Sequence, residues 1–333
     1  MDLIWTDIEG REQGYILNEN VDFEIGEEDD SINDFEVEFQ REGWSGEIQI
    51  GCRMFSPNTE YGGIVKEMGT STSAGSITVK GYTWRGMMTK KIIEPAAGQD
   101  YATKTGEVNH IIKEMVEEEF PGLFYGVDKS TGVSVTGYRF ERYCSMHAGL
   151  VKMLKSVGHK LSIKYLQGEG VETGYVEVSA VPIADYSSEY EVSSDTGMNF
   201  TTNDNQRGIN HLICLGKGEL KDRLVLHLYV DKNNNVGKTQ YYKGTDEIAE
   251  VFDSNGSEMA DLEKNGTEKL EGLKNKEEYN MTMEELEGDM DIGDIVGGRD
   301  YITGIVMKKP IGRKIWTIAA GVEKIEYKLE GET

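Results

Sequence analysis

The N-terminal part of the chain alternates apolar and polar residues with a period of two. Val21, Phe23 and Ile25 interleave with Asp22 and Glu24, and Phe35, Val37 and Phe39 interleave with Glu36 and Glu38. A strand turns successive side chains to opposite faces, so each run predicts a strand with one apolar face and one carboxylate face. Further strands are expected at 47–50, 63–68 and 76–82, separated by Gly, Asn and Ser turns. Their spacing predicts a small barrel or sandwich over residues 1–94.

The pattern changes after Glu94-Pro95. From 104 to 120, Val108, Ile111, Ile112 and Met115 recur at helical spacing, and Pro121-Gly122 ends the run. A second helix is expected at 145–157, with Leu150, Met153, Leu154 and Val157 on one stripe, Ser145 as N-cap and Gly158 just past the C-cap. Strands at 160–166 and 174–181 complete a mixed α/β module over 95–188. Strands resume at 189–192, 209–216 and 223–229, and again at 293–296, 300–307, 314–319 and 324–329. Between them, 245–287 is rich in Glu and Lys, with sparse Ile248, Met259, Leu262, Leu270 and Leu273; this predicts a helical insertion lying on a surface. The chain reads as α+β and predominantly β: a β module at 1–94, the mixed module at 95–188, and a second β module at 189–333 that carries the insertion.

Composition narrows the function. The 333 residues include 60 acidic and 35 basic ones, a net charge of −25. General nucleic-acid binding is disfavoured, because phosphate contacts need clustered Lys and Arg. Glycine is abundant at 40 and proline scarce at 5, which suits a turn-rich β protein. The 17 Tyr, 9 Phe and 4 Trp supply buriable surface that argues against disorder. No stretch approaches the ~20 apolar residues of a membrane span. The N-terminus, MDLIWTDIEGRE, lacks the basic-then-apolar order of a signal peptide, so a cytosolic origin without general secretion is expected. Cys52, Cys144 and Cys214 are far apart and odd in number, and are expected as reduced, buried thiols rather than a disulfide framework or zinc site.

Candidate chemistry is sparse. The five histidines, His110, His147, His159, His211 and His227, show no metal spacing. Ser145 and His147 lie close together, but the glycines of a nucleophile elbow are missing. The run from Asp231 through Asn235 starts like a calcium loop and then fails, with Val236 at the sixth position and Tyr242 at the twelfth. Asp289, Asp291 and Asp294 gather carboxylates, yet Ile292, Ile295 and Val296 read as the start of a strand. Paired carboxylates suffice for glycan cleavage, but 60 acidic residues guarantee chance pairs. No glycine-rich phosphate loop precedes a helix. The triplets at Asn199, Asn255, Asn265 and Asn280 match a glycosylation pattern that has no meaning without export. No catalytic residue, cofactor or metal ligand is assigned. Trp44, Trp84 and Trp316 are candidates either for an assembly interface or for the core.

Three stretches carry a resemblance. The first is 208–229, with Asn210, Gly216, Gly218, Glu219 and Arg223 in order. The second is 289–305, with its acidic lead-in, Gly-Asp-Ile-Val and a following strand. The third is the helix–strand unit at 145–166. Together they resemble the siphovirus-type tail hub proteins of Gram-positive phages and prophages, which are similar to the central hub of T-even baseplates. The resemblance covers roughly 100–330 and contains no catalytic residues. It implies two tube-like β-barrel modules per chain, and a trimeric ring with pseudo-six-fold geometry joining the tail tube to a tip or spike. The implied setting is a virion or a contractile bacteriocin particle assembled in the bacterial cytoplasm. Implied partners are further copies of the chain, the tail tube, tape measure, spike or tip and other baseplate proteins; no membrane is implied, and DNA only as passing cargo. A trimer would carry 3 × −25 = −75; acidic faces lining a channel would keep DNA from adhering, while the same charge also serves solubility before assembly. The chain carries no appended lysozyme, peptidase or fibre domain up to Thr333, so lytic work is expected to fall to other proteins. The rival readings are a carboxylate-based peptidoglycan hydrolase and a β-rich receptor- or carbohydrate-binding module.

Overall fold

The computed structural model describes residues 1–16, 20–27, 32–42, 44, 46–167, 173–187, 191–192, 199–205, 207–284, 290–299 and 306–330, with backbone only at 191–192, 199–205, 276–284, 299 and 306–307. In chain order the N-terminal strands are β1 (Leu3–Thr6), β2 (Glu12–Ile16), β3 (Asn20–Gly26), β4 (Asp34–Gln40), β5 (Arg53–Phe55), β6 (Gly62–Ser71) and β7 (Ser76–Thr83). Then come α1 (Trp84–Thr89), β8 (Thr103–Glu107), α2 (Val108–Glu119), β9 (Phe124–Gly126), β10 (Ser134–Arg139), α3 (Met146–Lys155), β11 (His159–Leu166) and β12 (Tyr175–Pro182). The remainder is β13 (Glu191–Val192), β14 (Asn199–Asn205), β15 (His211–Leu215), β16 (Val225–Val230), β17 (Val236–Gly237), β18 (Ala249–Asp253), α4 (Met259–Leu273), β19 (Lys276–Glu284), β20 (Ile295–Arg299), β21 (Val306–Ala319) and β22 (Val322–Leu329). The α+β, mainly β class expected from the sequence is the class observed.

The chain forms two compact units, Met1–Phe200 with Asn280–Thr333, and Thr201–Tyr279. This differs from three consecutive modules, for two reasons. First, β21 pairs antiparallel with β3, placing Trp316 opposite Phe23, so the C-terminal strands complete the N-terminal sheet. Within the larger unit that sheet runs β19-β22-β21-β3-β4-β7-β6-β5-β1-β2. Second, residues on either side of position 94 share one core. The Trp84 ring stacks on Tyr165 at 5.2 Å and meets Phe124 edge-on at 6.3 Å.

Alternation built the N-terminal sheet as read. Val21, Phe23, Ile25, Phe35, Val37 and Phe39 are buried. Phe23 stacks on Phe35 at 4.8 Å and on Trp316 at 5.5 Å, a cross-strand aromatic ladder. Phe35 also lies over Gly63 and Gly81. A Cβ at either glycine would come within about 2 Å of a backbone carbonyl, 2.1 Å and 2.0 Å respectively, so only glycine lets the strands close there.

In the α/β part, β11-β12-β9 form a three-stranded sheet and β8-β10 a two-stranded one. The helix α3 begins as expected: the Ser145 side chain accepts from Ala148 N at 3.0 Å, and Gly158 follows with φ +71. The helix expected from 104 instead begins at Val108. Residues 103–107 pair with β10, and Glu107 caps the helix by accepting from His110 N at 3.0 Å. No strand forms at 47–50, because Gly46 and Gly51 both take positive φ and turn the chain.

In the second unit, the sheet β17-β16-β15-β18 packs against α4. Leu212, Cys214, Leu228, Val230, Leu262 and Leu270 form its core. Gly266 lets α4 approach: a Cβ there would lie 2.6 Å from Cys214 Sγ. The helical insertion expected at 245–287 is thus one helix flanked by β18 and β19. The strands were hidden by their charge, since apolar residues are too few to show a period of two. Residues 285–287, like 189–190 and 300–305, lie outside the described residues.

Candidate functional site

Two constellations of charged side chains dominate the larger unit, one on its surface and one inside. The surface one follows from the alternation of β3 and β4. Asp22, Asp34 and Glu36 are exposed on the sheet face opposite the aromatic ladder, with Glu24 and Glu38 partly covered. Asp22 stands directly opposite Glu36 across the strand pair. Lys80 holds Glu36 and Arg313 holds Glu24, each at 2.7 Å. Asp22 and Asp34 have no ion-pair partner among the described residues. Partial burial, then the charges of Glu24, Asp34 and Glu36, raises the Asp22 carboxyl above its ordinary range; burial and Glu24 do the same to Asp34 against the pull of Lys80.

The interior constellation joins the N-terminal sheet, the α/β part and the C-terminal strands. Arg85, in α1, is 1% exposed. Its Nε donates to Glu60 Oε1, Nη2 to Glu60 Oε2 at 3.3 Å and Nη1 to Glu27 Oε1 at 3.4 Å. Glu27 Oε2 lies 3.1 Å from Lys155 Nζ, which also binds Glu330. Lys314, buried in β21, donates to Asp291 Oδ1 at 2.6 Å and lies 3.4 Å from Glu60 Oε2. Lys160 pairs with Asp294 Oδ2 at 2.6 Å. Five acids thus meet four bases, each charge beside an opposite one, which is what makes such burial tolerable.

Burial opposes the charge of Arg85, but Glu60 and Glu27 outweigh it and raise its affinity for the proton; Asp291 and Glu60 do the same for Lys314. Asp291 is also desolvated, yet the Lys314 charge and hydrogen bond hold it at about 2. Tyr61, beneath the joint, is raised by burial above all.

A third feature is an exposed arginine–tyrosine patch on the α/β part. The Arg139 guanidinium lies 5.9 Å from the Tyr101 ring centre and that of Arg142 lies 5.5 Å from Tyr143. Neither arginine has an ion-pair partner among the described residues. Tyr143 is 58% exposed and holds a positive φ of 55.

In the smaller unit, Glu247 Oε1 lies 2.6 Å from His211 Nδ1, and His211 Nε2 lies 2.8 Å from His227 Nδ1. The two imidazoles stack with Tyr229. No sequence spacing announces this group: β15, β16 and the loop before β18 bring it together. Among the described residues, no three or more His, Cys, Asp or Glu gather as a metal site.

The sequence candidates resolve into structural parts. Ser145 is a helix cap and His147 is buried. The Asp231 carboxylate accepts from Asn233 N at 2.8 Å and Asn235 N at 2.9 Å, closing a turn. Asp291 and Asp294 serve the ionic joint, and Asp289 lies outside the described residues. Trp84 and Trp316 are fully buried, whereas Trp44 is partly covered and packs edge-on to Phe39 at 5.0 Å. All three cysteines are free thiols, with Cys52 and Cys214 buried and Cys144 partly so. Of the residues that carry the resemblance, Asn210 bridges to Asp246 O at 2.7 Å and accepts from Ile248 N at 2.9 Å. Arg223 Nε donates to Gly216 O at 3.0 Å, and Gly218 takes φ +107. These residues shape turns. Sequence reasoning missed Glu27, Glu60 and Arg85, which lie far apart along the chain; the only pointer to the joint was the acidic lead-in at Asp291 and Asp294.

No family model matches the chain, and no curated protein matches it in sequence. Solved structures do. The 43 kDa tail protein of prophage MuSo2 from Shewanella oneidensis superposes with a TM-score of 0.52 at 12% identity, covering 99% of this chain and 98% of that one. A chain of the phage P2 baseplate in its activated conformation with calcium gives 0.51 at 9% identity, covering 99% of each. At such identities the likeness is one of fold, and it runs the length of the chain. No helix among the described residues is long and apolar enough to cross a membrane.

Proposed function

We propose that this chain is a structural hub of a phage tail or phage-tail-like particle. The carrying observation is an end-to-end fold correspondence with a prophage tail protein and a phage baseplate chain, with both partners covered almost completely. In this reading three copies surround the tail axis and join the tube to the tip or spike, touching the tube, the tape measure and other baseplate proteins, in a particle assembled in the bacterial cytoplasm.

The role is mechanical. The ionic joint links three parts of the larger unit so that load passes between them: Lys155 meets Glu27, Lys314 meets Glu60 and Lys160 meets Asp294. The net charge of −25 makes a bore to which DNA does not adhere. The arginine–tyrosine patch has the composition of an interface centre and supplies a docking surface for a neighbour. Catalysis is not part of the proposal: the buried carboxylates Glu27 and Glu60 are both engaged by Arg85. Deleting the gene in its prophage and imaging the induced particles tests the role. Tails that fail to form or lack their tip end support it, while normal tails lacking only wall-degrading activity favour the hydrolase.

A further inference from the structure

The sheet of the smaller unit is covered on one side only. Leu212, Cys214 and Leu228 belong to the core beneath α4, so the alternate residues of the same strands form the opposite face. On a sheet with one wet face those positions are ordinarily polar. Here β15 supplies Ile213 and Leu215, β16 supplies Val225 and Tyr229, and β18 supplies Ala249 and Val251. The register makes them neighbours: Ile213 stands beside Val251, and Leu215 beside Val225. None of them is part of the core beneath α4, and Val225 and Val251 are 45% and 57% exposed. In the loop joining β15 to β16, Leu220 is 94% exposed and holds φ +47, a left-handed backbone that is costly for leucine. A contiguous apolar face left open in this way is the mark of a contact surface.

Charge decides which partner fits. Among the described residues, Asp253 is the one charged residue that β15, β16, β17 and β18 place on this face, and Arg223 holds it. Glu247, in the loop before β18, reaches the face at His211. With the histidines neutral the local charge is 1 − 2 = −1, in a chain of −25. The outer face of β3 and β4, by contrast, carries five carboxylates, Asp22, Glu24, Asp34, Glu36 and Glu38. A second copy brings a further −25, so two copies meet at least cost where local charge is small and apolar side chains are uncovered.

We propose that this face, extended by Leu220, binds a second copy of the chain. The inference rests on the hub reading, in which copies adjoin, and assigns the surface by which one copy holds the next.

The test is sedimentation of the full chain over a wide range of concentration, for wild type and two variants. Wild type is expected to associate reversibly to three copies. Val225→Arg with Val251→Arg changes exposed positions only, so the melting temperature of the dissociated chain should hold while association weakens about tenfold or more. Leu220→Gly suits the positive φ and should weaken association severalfold without destabilising the chain. A wild-type chain that stays monomeric up to about millimolar concentration, or association of wild-type strength in either variant, would overturn the proposal. A dimer that the two arginines disrupt supports this contact and contradicts the three-copy hub, whereas a trimer that they leave intact does the reverse.

Discussion

Arg85 and Glu60 form a two-point ion pair with side chains 1% and 2% exposed, and Glu60 also faces Lys314 at 3.4 Å. One carboxylate therefore neutralises two buried cations from different parts of the fold. Glu60→Gln keeps the shape and removes the charge, leaving Arg85 with Glu27 alone and Lys314 with Asp291 alone. A loss of about 3 kcal/mol is expected, because Arg85 loses its two-point partner in a buried site. Chemical denaturation of the variant against wild type checks this; a change below about 1 kcal/mol, the scale of a surface pair, would contradict it.

The joint also sets an acid limit. Asp291 is held at about 2, below its value of 3.8 in an unstructured chain. A carboxyl depressed in the folded state contributes stability that is complete above the unfolded value and is lost as pH falls through the folded one. The window is thus about pH 4 down to 2. Its side chain is 46% exposed, so solvent screening limits the contribution to about 1 kcal/mol. Melting temperatures across that range should fall more steeply for wild type than for Asp291→Asn.

The acidic sheet face has the opposite sign. Asp22 and Asp34 are raised, so their ionised forms oppose folding at neutral pH, and the penalty vanishes as pH falls through their folded values. Asp34→Asn is expected to be neutral or to stabilise by a few tenths of a kcal/mol at pH 7, since the group is exposed. Thermal melts at low and high salt check it: the gain should shrink as salt screens the like charges. A destabilised variant would mean that Asp34 has a cationic partner.

Arg139→Glu with Arg142→Glu addresses assembly apart from stability. Both side chains are exposed and make no ion pair among the described residues, so the melting temperature should hold. Incorporation into particles, measured by complementing a deletion, should fall severalfold, because reversing interface charge weakens docking strongly. Normal incorporation would remove the patch from the interface.

Much of this fold was legible because burial imprints a period. The alternation of Val21, Phe23 and Ile25 with Asp22 and Glu24 gave both the strand and its faces, and Ser145 and Gly158 bracketed a helix through local hydrogen bonds and backbone freedom. The failures have physical causes. Residues 103–107 and 134–139 hold too few apolar side chains for a period of two, and they pair antiparallel all the same, across the intervening α2 and β9. The strand expected at 47–50 is undone by its two flanking glycines. The pairing of β21 with β3 joins residues about 300 positions apart, which no local pattern encodes. The ionic joint is hidden for the same reason: Glu27, Glu60, Arg85, Lys155 and Lys314 look like ordinary surface charges in a chain with 95 charged residues, 60 acidic and 35 basic.

The central claim is best tested by high-resolution electron microscopy of the intact particle with this chain located in it. Three copies around the tail axis, in direct contact with the end of the tube, are the expected result. Copies lying away from the axis, or a particle complete without the chain, would contradict it.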